Sequence, residues 1–110
     1  WQCWSGDAGA TWDAASRATF PGYAQSIART QSGAIVCVHR YPQYSINLSR
    51  DGGINWDAGT IIDYPVWGMG CIVEVEPDVV LCMYMNANRD QPLLAQLVRV
   101  TQERVEPVPR

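Results

Sequence analysis

Two aspartates stand in the same eight-residue setting. Residues 5 to 12 read SGDAGATW and residues 49 to 56 read SRDGGINW, both of the form Ser-x-Asp-x-Gly-x-x-Trp. Paired carboxylates are the usual equipment of acid–base and glycosidic chemistry. These two are placed for something else. Asp51 opens a tight turn in which its carboxylate can accept backbone N–H groups, Ser49 can add a hydroxyl bond, and Gly53 can take the positive φ that a side chain resists. Trp56 then re-enters the sheet and packs its ring. Ser5, Asp7, Gly9 and Trp12 repeat the four roles. The expectation is that both acids are consumed by their own turns and are structural. A catalytic motif rarely needs a copy, whereas a structural repeat does.

The other reactive residue types are sparse. His39, the single histidine, has no serine or cysteine nucleophile in a triad-like setting. Glu74 and Glu76 flank Val75 on one strand face, where solvation is the simplest expectation. Cys3, Cys37, Cys71 and Cys82 contain no Cys-x-x-Cys pair, so no zinc site and no cofactor is expected. Cys37 in AIVCV and Cys82 in VVLCM sit in apolar runs, where a thiol acts as a small buried hydrophobe. No glycine loop suited to phosphate is present.

The elements that must carry these residues are strands. With 110 residues, 47% hydrophobic and 17% charged, the chain has the make-up of one globular domain. A net charge of −3, with eight arginines scattered along the chain, offers no face to a phosphate backbone, so no nucleic acid is expected. No apolar run reaches the roughly 18 residues of a spanning helix, so no membrane is expected either. The chain opens on Trp1 without a signal peptide, which suggests that residues upstream were removed or left out.

A repeat organises the strands. Setting SIARTQSGAIVCV (26 to 38) over CIVEVEPDVVLCM (71 to 83) aligns Ile27 with Ile72, Ile35 with Val80, Val36 with Leu81 and Cys37 with Cys82. The offset of about 45 residues nearly matches that of the two boxes and is the size of a four-stranded propeller blade. Strands are expected at 26 to 31, 34 to 40, 44 to 49, 56 to 62, 69 to 76, 79 to 86, 93 to 101 and 105 to 108. The run 44 to 49 alternates and is expected to be half exposed. Residues 1 to 4 and 12 to 19 supply only a third and a fourth strand. The reading is a half blade (1–20), a full blade (21–64) and a second full blade (65–110), with no helix.

Ser-x-Asp-x-Gly-x-Thr-Trp is the Asp-box, or bacterial neuraminidase repeat. The first copy matches it in full, and the second has Asn55 in place of threonine. The stretch from Tyr23 to Val100 resembles the closing blades of sialidase-like six-bladed β-propellers, an all-β fold. The resemblance implies that the boxes lie away from the substrate and slightly favours secretion. It also implies three arginines that hold the substrate carboxylate, a tyrosine nucleophile paired with a glutamate, and an aspartate as general acid. Arg40, in CVHRYP, is the nearest candidate for the third arginine, and its planar guanidinium suits a carboxylate. His39 adjoins it, and Tyr41, Tyr44 and Trp67 are candidate sugar-stacking aromatics. The nucleophile departs from the pattern. In WGMGCIV, Met69 holds the position where tyrosine is expected, and a thioether cannot form the covalent glycosyl intermediate. Tyr64 is the remaining candidate, on a different loop course.

Two functions follow. One is a non-catalytic propeller piece, structural or binding a glycan or a sialic-acid-like carboxylated sugar. The other is the C-terminal part of an exo-acting glycoside hydrolase, an exo-alpha-sialidase. In either, two and a half blades leave open ends, so self-association or blades supplied in trans are expected.

Overall fold

The computed structural model describes residues 1–41, 43–64, 69–86, 90 and 93–109. Among them there are eight strands and no α-helix: β1 (Ser26–Arg29), β2 (Ile35–His39), β3 (Tyr44–Ser49), β4 (Thr60–Asp63), β5 (Gly70–Glu76), β6 (Val79–Met85), β7 (Leu93–Val100) and β8 (Val105–Pro107). They form two four-stranded antiparallel sheets, ordered β1-β2-β3-β4 and β5-β6-β7-β8, each strand beside its sequence neighbour. No helix among the described residues is long and apolar enough to cross a membrane.

The repeat seen in the sequence is also a repeat of register. Ile27 pairs with Cys37 in the first sheet, and Ile72 pairs with Cys82 in the second. Side chains alternate across a strand, so each sheet has one face bearing this Ile–Cys pair and one opposite face. The opposite face of the first sheet (Ala28, Val36, Val38, Tyr44, Ile46, Leu48) packs on the Ile72–Cys82 face of the second, with Val80, Tyr84, Val98, Val100 and Val105, to form the core. Polar links close the rim: Glu74 takes the N–H of Gln31 on both oxygens at 3.0 Å, Ser32 Oγ donates to Asp78, and Arg50 donates to the Thr101 carbonyl. Glu74, expected to be solvated, thus caps a turn of the neighbouring sheet as well as its own, where it accepts the N–H of Asp78.

Three strand expectations change. β3 is buried along its whole length, not half exposed. Its Ser45, Asn47 and Ser49 face is covered because residues 1–20 fold over it and because Asn47 finds buried partners. β4 starts at Thr60, later than expected, because Asp57 and Gly59 make a turn first: the Asp57 carboxylate accepts the N–H groups of Leu48 and Gly59, and Gly59 takes φ +83°. Residues 1–4 and 12–19 form no named strand. Only Gln2 and Ser16 bridge, with the Asp13 N–H donating to the Trp4 carbonyl. Among the described residues no strand pairs with its other edge.

The remaining face of the second sheet is open. Val73, Val75, Met83, Met85, Leu93 and Leu97 on it are exposed.

Candidate functional site

The two boxes are built by the same hydrogen bonds. Ser5 Oγ donates to Asp7 Oδ1 at 2.8 Å and accepts the N–H of Gly9 at 2.7 Å; Ser49 Oγ donates to Asp51 Oδ1 at 2.9 Å and accepts the N–H of Gly53 at 2.9 Å. Asp7 takes the N–H of Thr11 at 2.8 Å on one oxygen and its hydroxyl at 2.6 Å on the other. Asp51 takes the N–H of Asn55 at 2.8 Å and its side-chain amide at 2.7 Å. Asn55 therefore replaces the usual threonine bond for bond. Trp12 and Trp56 each donate their indole N–H to the carbonyl of the box glycine, Gly9 or Gly53. Both glycines have positive φ, +92° and +87°.

Donors fix the charge of these acids. The Thr11 hydroxyl, then its N–H, then Ser5 hold Asp7 down to about 2. The Asn55 N–H, then its amide, then Ser49 hold Asp51 below the usual carboxylate range. A carboxylate whose charged form is held this way is a poor proton donor. The tryptophans differ in surroundings. Trp56 packs edge-on to Phe20 and donates to Gln2, whereas Trp12 is 62% exposed.

Topology separates the boxes from the other candidates. The β3–β4 box and the β1–β2 and β5–β6 turns lie at one end of the sheets. The β2–β3 loop, the residues following β4 and the start of β5 lie at the other. Arg40, Tyr41, Tyr64 and Met69 belong to this second end. Arg40 sits half-buried with its guanidinium 5.2 Å from the centre of the Tyr23 ring, and its backbone N–H donates to the Tyr23 carbonyl. Tyr41, Tyr64 and Met69 are exposed.

Two of the expected sugar contacts are buried. Tyr44 is 1% exposed and stacks on Tyr84 at 4.3 Å, because it caps the core between the sheets. His39 is buried, bonded through Nδ1 to the Tyr41 carbonyl and through Nε2 to Asn47 Oδ1 at 2.7 Å, and stacked on Phe20. It anchors residues 1–20 to the sheet. Trp67 lies outside the described residues. The sequence reading missed Asn47 itself, which also donates to the Asp57 carbonyl at 2.9 Å and so ties β3 to the turn before β4.

All four cysteines are free. Burial pushes the Cys37 thiol up to about 11 and, with a smaller contribution from Cys71, Cys82 up to about 12. Cys3 and Cys71 are exposed.

Compared with protein-family models, with curated proteins and with solved structures, the chain matches none.

Proposed function

We propose that this chain is part of a sialidase-like β-propeller, two full blades preceded by the outer half of another, that binds a carboxylated sugar without hydrolysing it. The observation that carries the reading is the doubled design: two four-stranded sheets in one register repeat, with two boxes whose hydrogen bonds correspond donor for donor. At the end away from the boxes, Arg40, whose guanidinium also packs over Tyr23, is the residue the resemblance assigns to a carboxylate, and the exposed Tyr41 ring offers a surface for a sugar. Met69, exposed where the resemblance calls for a nucleophilic tyrosine, argues against turnover. The open apolar face of the second sheet fits a further blade or a second copy.

One observation favours the alternative, a working part of an exo-acting glycoside hydrolase: Tyr64 is 65% exposed at the same end as Arg40. A fluorogenic sialoside separates the two readings. Blank-level release is expected; turnover abolished by Tyr64→Phe would establish the hydrolase.

A further inference from the structure

A groove of about 690 Å³ lies between residues 1–22 and the first sheet, lined by Trp1, Arg17, Phe20 and Trp56 above a floor of Ile27 and Cys37. Its floor is the face whose counterpart in the second sheet is covered. There Ile72 and Cys82 pack beneath β1 and β2, through Ala28, Val36 and Val38, and the Ile72 N–H reaches Ser26 Oγ. Among the described residues no such strands cover the first sheet, and Ile27 is 63% exposed while Ile72 is part-buried. An interface that the molecule builds once is thus left half-built one repeat earlier.

The groove's wall carries a second, independent feature. Gln2 spends both its backbone N–H and its C=O on Ser16, and the Trp4 carbonyl accepts from Asp13. The bonds of Gln2 and Trp4 run to one side of this short segment, alternation along extended backbone turns the groups of Trp1 and Cys3 to the other, and no described residue makes a backbone bond to them there. An apolar floor beside an unpaired strand edge is what an added β-strand uses, main-chain bonds for affinity and alternate side chains for fit.

We infer that this groove is the docking site of a two-stranded β-hairpin carrying small and β-branched side chains on one face, the chemistry of this chain's own β1–β2. One strand pairs with the Trp1–Cys3 edge, and the apolar face lies on Ile27 and Cys37. The assignment rests on the blade reading above and deepens it.

The test is a synthetic peptide of residues 25–39 with Cys37→Ser, added to the full chain. Saturable binding is expected, with a blue shift of tryptophan emission as Trp1 and Trp56 are covered and with slowed hydrogen exchange at the Cys3 amide. A peptide with Val36→Asp and Val38→Asp, or a protein with Ile27→Asp, should bind at least tenfold more weakly. Ile27 is exposed, and unchanged exchange in β6 and β7 will verify that the variant is folded. Absence of saturable binding, indifference to Ile27→Asp, or protection confined to the open face of the second sheet would overturn the assignment. Failure of the peptide alongside Arg40-dependent binding of N-acetylneuraminic acid would remove the hairpin site and leave the proposed function standing. Peptide binding without sugar binding would support the hairpin site and remove the sugar-binding function.

Discussion

Gly53 and Gly59 have nearly the same backbone conformation, φ +87° and +83°, but different surroundings. An L-alanine in this left-handed region costs about 1–2 kcal/mol at either position. At Gly53 the added Cβ meets the Trp56 ring at 3.5 Å and Trp4 Nε1 at 3.8 Å, both ordinary contacts, so Gly53→Ala should cost no more than that. At Gly59 the Cβ falls 2.9 Å from Asn47 Nδ2 and 3.0 Å from Oδ1. Asn47 must move, and its bonds to the Asp57 carbonyl and to His39 break in a buried setting. Unpaired buried groups add about 1–3 kcal/mol. Gly59→Ala should therefore exceed Gly53→Ala by that margin in urea unfolding, with the denaturant slope unchanged. In an Asn47→Ala background the Gly59→Ala cost should fall back to about 1–2 kcal/mol, a coupling visible in the double-mutant cycle. Equal losses for the two single variants, or full additivity in the cycle, would refute the Asn47 hub.

Tyr44→Phe should stabilise the chain by about 1 kcal/mol, because the buried Tyr44 hydroxyl finds no partner among the described residues; thermal melting checks this, and a loss would mean the hydroxyl is bonded. Thiol titration with a chromogenic disulfide should count two fast groups, Cys3 and Cys71, and two that react only on unfolding, Cys37 and Cys82. The box acids set an acid limit: both are lowered in the folded chain, so their stabilisation is present above the unfolded value of about 3.9 and is lost as pH falls toward about 2, the folded value of Asp7. Melting temperature against pH should show this loss below about pH 4; a loss from these groups between pH 5 and 7, seen as a difference between wild type and Asp51→Asn, would contradict the assignment. Light scattering should find species larger than the 12.2 kDa monomer, since the open face of the second sheet is apolar.

Local pattern made the inner strands legible. β2, β3 and β6 are apolar or alternating runs bounded by turn residues, and the repeat aligns Ile27 with Ile72 and Cys37 with Cys82, the positions that pair in the two sheets. The boxes were legible too, because each bond runs between residues at most four apart. What stayed hidden depends on contacts between segments distant in the chain. The burial of His39 and Tyr44 needs Phe20 and Tyr84 to arrive over them. The capping role of Glu74 needs Gln31 from the other sheet. Asn47 reads as an ordinary polar position of an alternating strand, and only the Asp57–Gly59 turn turns it into a hub. Arg40 and Tyr64 were named through the family resemblance and not through spacing, and the topology places them at one end of the sheets.

Titration of the chain with N-acetylneuraminic acid, followed by saturation-transfer NMR in wild type, Arg40→Ala and Asp51→Ala, tests the division between a binding end and a structural end. Wild type and the folded fraction of Asp51→Ala should bind alike, although Asp51→Ala melts at lower temperature, and Arg40→Ala should lose at least tenfold in affinity, the order expected when a charged hydrogen-bond partner is removed. Unchanged binding by Arg40→Ala, or loss of binding by Asp51→Ala at unchanged melting temperature, would contradict the account.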